Sequence, residues 1–245
     1  MKRYKLTVAY DGTNYVGWQI QPNGITIEEV LNRKLSQLTG EEITVIGASR
    51  TDSGVHARGN VAVFNSKTTI PPERICYALN QILPEDIVIV NSEEVPNDWH
   101  PRYRKSMKTY EYRIQTGRMP DPTRRLTHYF VSYHLDFEKM KEAAAYLVGE
   151  HDFAGFCRVR TNAKSTIRTI YHLDLYQEDD TITLQICGNG FLYNMVRMIV
   201  GALLLVGRGS YPPKQIKEFL AAKGGQVVKV TAPPQGLMLM GIKYE

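Results

Sequence analysis

A similar order of strand and helix patterns occurs twice along this chain of 245 residues. In each half, a strand pattern is followed by an amphipathic helix pattern and then by further strand patterns. This order predicts an α+β fold built from two α/β halves, residues 1–105 and 106–245. We expect mostly antiparallel sheets flanked by helices in both halves.

The first half contains one helix with clear signals at both ends. Thr26 and Glu29 have the spacing of a capping box, in which each side chain bonds a backbone N–H of the other residue. Apolar residues then recur at helical spacing, and Gly40 predicts the end of the helix. The other elements predicted in this half are strands at 4–10, 43–48, 61–64 and a buried one at 87–90, and a helix at 71–83.

The second half contains a strand pair and a strongly apolar helix. Its predicted elements are strands at 110–114, 166–176, 181–187 and 237–244, and helices at 136–147, 193–206 and 214–222. Asp136 is expected to cap the first of these helices. The apolar helix contains Arg197, and a buried arginine requires a partner of opposite charge. Both Asp52 and a structural acidic residue fit this requirement.

Composition excludes several classes of protein. With 43% hydrophobic and 22% charged residues, the chain is neither disordered nor collagen-like. Three widely separated cysteines predict buried thiols in a reducing compartment rather than disulfides or zinc ligands. Residues 195–206 form the most apolar run, which is too short to span a bilayer. With no signal-peptide pattern at the N-terminus, we expect a cytoplasmic protein without a membrane segment.

The positive charge is concentrated in one segment. The chain has a formal net charge of +5, but residues 101–130 alone carry 8 basic and 2 acidic side chains. Residues 99–113 also interleave aromatic and basic residues, a pattern typical of nucleic-acid surfaces. A solvated loop is the alternative interpretation. If the surface binds nucleic acid, the residues expected to contact phosphate are Arg102, Arg104, Lys105 and Lys108.

The segment 48–60 contains the best candidate for a catalytic residue. Asp52 lies between Arg50 and Arg58, with a turn expected at Ser53 and Gly54. Neighbouring cations favour the ionised carboxylate, which can act as a nucleophile or a general base. The alternative is a turn in which Asp52 accepts hydrogen bonds from nearby backbone N–H groups.

Other catalytic interpretations of this segment are weaker. Residues 52–54 match the Asp-Ser-Gly signature of aspartic proteases, but the chain has one copy, so only a dimeric protease could supply the second carboxylate. His56 stands too close to Asp52 for a hydrolase triad and is expected to be a turn or packing residue. No metal-binding motif is found, so no metal is expected.

Five segments in order resemble the tRNA pseudouridine synthase A family. They are residues 10–19 (YDGTNYVGWQ), 49–57 (SRTDSGVHA), 108–112 (KTYEY), 188–197 (GNGFLYNMVR) and 232–237 (APPQGL). The family's loop usually has Gly, Ala and Gln where this chain has Ser49, Ser53 and Asn60. The resemblance nevertheless covers nearly the whole chain.

The resemblance implies a reaction without a cofactor, the isomerisation of uridine to pseudouridine in tRNA. It implies that Asp52 is the catalytic aspartate, acting either on the sugar carbon or as a base. Its implied substrate-site residues are Tyr110 against the uracil, Arg197 paired with Asp52, Leu237 in the base pocket, Arg50 in place of the flipped nucleotide, and Arg58.

The resemblance also implies an architecture and partners. The two halves would be related by a pseudo-twofold axis around a central RNA-binding cleft, and the protein would act as a homodimer. The substrate would be the anticodon stem-loop of tRNA, at positions 38 to 40. The main alternative to this isomerase is a non-catalytic tRNA-binding protein. The second alternative is the dimeric aspartic protease.

Overall fold

The computed structural model describes residues 1–157 and 165–245, and these form two compact units. Unit 1 comprises Met1–Ser106 together with Leu239–Glu245, and unit 2 comprises Met107–Met238. The sequence predicts two halves, residues 1–105 and 106–245. In the structure, however, residues 239–245 belong to unit 1.

Unit 1 is an antiparallel sheet with helices packed on it. Its strands are β1 (Lys2–Tyr10), β2 (Ile46–Gly47), β3 (His56–Ser66), β4 (Ile87–Val95) and β10 (Leu237–Tyr244). The first two residues of β10 belong to unit 2. Its helices are α1 (Ile27–Thr39) and α2 (Ile75–Asn80), the latter preceded by a 3-10 turn at Pro72–Arg74. The strand order is β4-β1-β3-β10, with β2 paired to β3.

The signals that predict α1 are present in the structure. The Thr26 hydroxyl accepts a hydrogen bond from the Glu29 amide at 3.3 Å, and Gly40 ends the helix with a φ of 71°. The buried face of α1 includes Leu31 and Leu35, which are fully buried. The capping residues therefore set the length of the helix, and its apolar face packs it into the core.

Several predictions for unit 1 are wrong in extent. The strand expected at 43–48 is reduced to two residues, because side chains of α1 take its backbone donors: Asn32 accepts from the Val45 amide at 2.8 Å. The strand expected at 61–64 begins already at His56, since Ala57 pairs with Tyr10 of β1. The helix expected at 71–83 ends at Asn80, where the Asn80 side chain bonds the backbone of Ile89.

The strand predicted as buried at 87–90 is instead half exposed. In β4, buried and exposed residues alternate, and Val88 and Val90 are 44% and 59% exposed. This strand lies at the edge of the unit 1 sheet, where only one face contacts the core.

The described part of unit 2 contains five strands and three α-helices. Its strands are β5 (Ser106–Thr116, with Ser106 in unit 1), β6 (Tyr129–Val131), β7 (Gly149–Asp152), β8 (Ile167–Glu178) and β9 (Thr181–Gly188). Its helices are α3 (Phe137–Ala145), α4 (Met195–Gly207) and α5 (Gln215–Ala221). The strand order is β5-β9-β8-β7, and β6 pairs with β5 in parallel.

The elements predicted between residues 110 and 222 are present with similar bounds, but β6 and β7 are not among the predicted strands. Asp136 accepts a hydrogen bond from the Lys139 amide at 3.1 Å and so caps α3. The predicted strand pair forms the antiparallel hairpin of β8 and β9. The α+β fold with mostly antiparallel sheets is confirmed, because every strand pairing described within the two units is antiparallel except that of β5 with β6. None of the described helices is both long and apolar enough to cross a membrane.

Candidate active site

Asp52 lies on a short connection between β2 and β3 in unit 1. The Val55 amide donates to the Asp52 carbonyl at 3.1 Å, and Gly54 has a φ of 76°, so residues 52–55 form the expected turn. Asp52 is partly exposed, whereas Thr51 and Val55 on either side of the turn are buried. The carboxylate therefore stands on a loop whose flanks are fixed in the core.

Residues 10–18 hold this loop from one side. The Trp18 amide donates to the Thr51 carbonyl at 3.1 Å, and the Gly54 amide donates to the Tyr15 carbonyl at 3.2 Å. The Tyr10 hydroxyl lies 2.8 Å from the Thr51 hydroxyl. These bonds fix the backbone immediately before and after Asp52, which makes the loop rigid.

Two glycines allow the two segments to approach this closely. A Cβ at position 12 would overlap the Val55 carbonyl, and one at position 17 would lie 2.7 Å from the Thr51 carbonyl oxygen. Gly17 also has a φ of 95°, a conformation that favours glycine. Residues 10–19 are a motif of the resemblance, and their role in supporting the loop becomes visible only in the structure.

His56 anchors the other end of the loop. Its ring is buried, and its Nδ1 accepts a hydrogen bond from the Gly12 amide at 3.1 Å. The Asp11 carboxylate lies 3.0 Å from the same nitrogen. Although burial opposes ionisation of Asp11, hydrogen bonds from Thr13 and the interaction with His56 outweigh it and lower the pKa of that carboxyl. His56 is thus the packing residue that the sequence analysis expected.

Two of the departures from the usual family loop contact each other. Asn60 is fully buried, and its amide donates to the Ser49 carbonyl at 2.9 Å and accepts from the Ser49 amide at 3.2 Å. The same side chain donates to the Tyr10 hydroxyl at 3.3 Å. The Asn60 side chain therefore fixes the residue that opens the loop.

The arginines predicted around Asp52 are exposed. Arg50 lies on the loop itself, and Arg58 lies on β3. Arg102 donates its Nε to the Gly47 carbonyl at 2.7 Å, just before the loop. Partial burial, and then the neighbouring charge of Arg50, lower the pKa of Arg102. Unit 1 therefore presents several guanidinium groups near the Asp52 loop, as a site for an anionic ligand requires.

In unit 2, the side chains of Tyr110 and Tyr112 lie in β5 and are both buried. Tyr110 meets the ring of Phe191 edge-on, with ring centroids 5.3 Å apart. The Tyr112 hydroxyl donates to the Pro233 carbonyl at 2.8 Å, and burial strongly raises the pKa of Tyr112. Tyr112 thus serves the core and remains protonated.

Arg197 and Tyr112 hold the segment that leads to Leu237. Arg197 is half-buried in α4 and donates its Nε to the Ala232 carbonyl at 2.8 Å, while the Ala232 amide donates back to the Arg197 carbonyl at 3.0 Å. A Cβ at Gly236 would lie 2.6 Å from the Tyr112 ring, so the segment packs closely against it. Leu237 follows as a buried residue. These contacts hold residues 232–237 against α4 and β5.

The site residues predicted from sequence fall into two groups. Arg50, Asp52 and Arg58 belong to unit 1. Tyr110, Arg197 and Leu237 belong to unit 2. Two of the partners of Arg197 within unit 2 are neutral, the Ala232 carbonyl and the Asn194 side chain, so charge is not its sole interaction.

The described residues contain no group suited to a metal ion. Among residues 1–157 and 165–245, no three His, Cys, Asp or Glu side chains cluster in a way that could hold one. The cysteines in this part of the chain, Cys76, Cys157 and Cys187, are all buried.

Comparisons with known proteins give the class of this site. A model of the family described as tRNA pseudouridine synthase matches residues 6–104 and 143–245. The relatives named tRNA pseudouridine synthase A include those of Thermoanaerobacter sp. (strain X514), 46% identical over 244 residues, and Acetivibrio thermocellus, 45% identical over 244 residues. Each alignment covers 100% of both chains.

These matches define an RNA-modifying isomerase. The chain belongs to the tRNA pseudouridine synthase family, and as such converts uridine to pseudouridine in tRNA. This assignment decides against the protease and the non-catalytic interpretations. Among solved structures, the archaeal box H/ACA sRNP Nop10-Cbf5 complex matches with a TM-score of 0.35 and 9% identity, over 96% of this chain and 46% of that one. A TM-score this low does not establish a shared fold, so the family assignment rests on the sequence matches.

Proposed function

We propose that this enzyme isomerises uridines 38 to 40 in the anticodon stem-loop of tRNA, with Asp52 as the catalytic nucleophile. The observation that carries the proposal is the rigid support of the Asp52 loop by backbone hydrogen bonds on both sides. A reacting group must be held in position before the substrate arrives, because a small misplacement costs much of the rate. Asp52 is the only carboxylate among the predicted site residues.

The proposed reaction needs no external redox partner. A carboxylate oxygen of Asp52 bonds to C1′ of the ribose as N1 of the uracil leaves with the bonding electron pair. The uracil rotates, C5 forms a bond to C1′, and the carboxylate leaves. The hydrogen on C5 is then lost as a proton, while N1 gains one. Atoms and electrons balance, so the enzyme requires no cofactor.

The other predicted residues would bind the substrate. Because C1′ and C5 are inaccessible in a stacked helix, the target uridine must be flipped out, which costs a few kcal/mol. We assign Arg50 to the place vacated by the base and Arg58 to binding of the RNA. In unit 2 we assign Tyr110 to packing on the uracil, and Arg197 and Leu237 to the substrate site. These assignments rest on the matching motifs.

Release of tritium from tRNA labelled at uracil C5 tests the role of Asp52. We expect the wild-type enzyme to release tritium to water and Asp52→Asn to release none while still binding tRNA. Asp98→Asn, which changes an exposed carboxylate in the same unit, is the matched control and should retain full activity. Release by Asp52→Asn within tenfold of the wild-type rate would contradict the proposal. A sugar adduct trapped on Asp52 would distinguish a nucleophile from a base.

Mapping pseudouridine in tRNA tests the position of the target. A strain lacking the gene should lose pseudouridine at positions 38 to 40 and regain it when the wild-type gene is supplied. Loss at any other set of positions would contradict this part of the proposal.

The remaining proposals concern the state of the protein in the cell. We propose a cytoplasmic homodimer whose functional halves are residues 1–105 and 106–245. Light scattering of the purified protein should give twice the mass of the chain. A monomer that retains full tritium release would contradict the dimer.

A further inference from the structure

Tyr103 is an aromatic residue with an unusual degree of exposure. It is 85% exposed, and its ring stacks on that of His100 with centroids 4.0 Å apart and an interplanar angle of 14°. The other rings of the interleaved segment, Trp99, Tyr110 and Tyr112, are buried. Since one face of the Tyr103 ring lies on His100, the other face is open to solvent.

The turn that carries this stack is anchored at its base. The Arg102 amide donates to His100 Nδ1 at 3.1 Å, which orients the imidazole ring. Trp99 is buried against the ring of Tyr244, and the Tyr244 hydroxyl donates to the Pro101 carbonyl at 3.0 Å. The two stacked rings are therefore held in place before any ligand arrives, which lowers the entropy cost of binding.

Cations surround the stack. Partial burial, and then the charges of Arg102 and Arg3, lower the pKa of His100, which favours the neutral imidazole. Arg104 and Lys105 follow Tyr103 directly, and both are exposed. Arg102 in turn donates to the Gly47 carbonyl, three residues before Arg50 on the Asp52 loop, and the charge of Arg50 contributes to the lowered pKa of Arg102. A flat apolar ring within a cationic surface fits a ligand that has both a π-face and negative charges.

We propose that Tyr103, supported by His100, is a stacking platform for an unpaired base of the tRNA substrate. Arg102 and Arg104 bind the phosphates on either side of that base. An unpaired nucleotide fits this surface because its base offers a π-face and its backbone offers the charge, whereas bases in a duplex are already stacked. The inference rests on the proposed function, since it adds a contact outside the reacting uridine.

Replacing the ring tests the platform. We expect Tyr103→Leu to raise the Kd for tRNA and the KM for tritium release about tenfold, with kcat unchanged. Tyr103→Phe keeps the ring and should remain within about twofold of wild type. The matched control is Tyr77→Leu, because Tyr77 is also in unit 1 and 65% exposed. It should bind tRNA as the wild type does.

A spectroscopic measurement identifies the stacked base. 2-Aminopurine is placed in turn at each unpaired position of an anticodon stem-loop, and its fluorescence is measured with each variant. One position should be quenched by the wild type and by Tyr103→Phe but not by Tyr103→Leu. Equal Kd values and equal quenching for wild type and Tyr103→Leu would overturn the proposal.

The two proposals fail in different ways. If Tyr103→Leu binds normally while Asp52→Asn is inactive, the platform is wrong and the proposed function stands. If the Tyr103→Leu defect is found but pseudouridine maps outside positions 38 to 40, the target assignment fails and the platform stands.

Discussion

At the scale of single residues, Asn60 shows how a buried amide can organise a catalytic loop. Its side chain bonds the Ser49 backbone and the Tyr10 hydroxyl from a position with no exposed surface. Buried polar groups are costly to leave without partners, so one residue constrains three groups. A fully buried residue therefore helps to hold the start of the Asp52 loop.

Asn60→Ala should destabilise the protein and misplace the loop. The change removes the hydrogen bonds of the buried amide to the Ser49 backbone and the Tyr10 hydroxyl, and we expect the free energy of unfolding to fall by about 2 kcal/mol. Urea denaturation measures this. Asn65→Ala, on the exposed side of the same strand, is the control and should change stability by less than about 0.5 kcal/mol. Equal stability of the two variants would show that the Asn60 bonds contribute nothing.

At the scale of elements, the turn between β8 and β9 is held by charge. Arg124 donates to Asp180 at 2.7 Å, and Gln115 donates to the same carboxylate at 3.1 Å. The hydrogen bond from Arg124, followed by that from Gln115, lowers the pKa of Asp180. The hairpin is thereby joined to β5 and to the basic segment through a single carboxylate.

The stability of this turn should depend on pH with a definite sign. Because the folded pKa of Asp180 is lowered, its stabilising contribution is present above the unfolded value of about 3.9 and is lost as the pH falls through the folded pKa. We expect Asp180→Asn to be less stable than wild type at pH 7, with the difference shrinking below about pH 4. Thermal unfolding from pH 7 to pH 3 measures it. A difference that stays constant or grows on acidification would contradict the assignment, and Asp174→Asn in β8 is the control.

Arg104 and Lys105, which directly precede β5, should contribute to the salt dependence of tRNA binding. Arg104→Gln combined with Lys105→Gln leaves intact the Arg102 bond that supports the loop. Each lost phosphate contact lowers the slope of log K against log salt by about 0.7 to 0.9, so we expect a fall of about 1.5. Filter binding at several salt concentrations measures this slope. Lys229→Gln, an exposed cation in unit 2, should leave it unchanged, and an unchanged slope in the double variant would exclude both contacts.

At the scale of the whole molecule, both tryptophans report on one unit. The chain has two tryptophans, Trp18 and Trp99, and both lie in unit 1. Trp99 packs edge-on against Tyr244, with ring centroids 4.9 Å apart. Tryptophan fluorescence therefore follows the unit that carries Asp52 and includes the contribution of the last residues of the chain.

Tyr244→Ala should weaken unit 1 in a way that fluorescence detects. The change removes the ring contact with Trp99 and the hydrogen bond to the Pro101 carbonyl, and we expect a loss of about 2 kcal/mol. The emission of Trp99 should shift to longer wavelength as water reaches the ring. Tyr176→Ala, an exposed change in β8, should produce neither effect. An unshifted spectrum in Tyr244→Ala would show that the contact is dispensable.

The sequence predicts those parts of the fold that local signals determine. The cap at Thr26, the stop at Gly40 and the hairpin of β8 and β9 each depend on residues close together in the chain. Residues 43–45 look like strand but bond to the side chains of α1, and the start of β3 at His56 depends on pairing with β1. Such partners are distant in sequence, so composition and periodicity do not reveal them.

The same distinction applies to the site. The Asp52 motif is visible in the sequence because its residues are contiguous. The resemblance to the family is what assigns Tyr110, Arg197 and Leu237 to the substrate site. The supporting contacts of His56 and Asn60 were missed because their partners, Gly12 and Tyr10, lie about 50 residues away. The exposure of Tyr103 could not be predicted either, because the neighbouring aromatic residues of the same segment are buried.

The return of the last residues to unit 1 has a consequence for biosynthesis. Residues 239–245 complete the unit that begins at Met1, whereas unit 2 is made of one continuous stretch. The ribosome synthesises the chain from its N-terminus. Unit 1 is therefore begun before unit 2 but completed after it. A translation product that stops before residue 239 thus contains the whole Asp52 segment but lacks most of β10. Translation must pass residue 239 before this unit can finish folding, so a shorter product should be inactive.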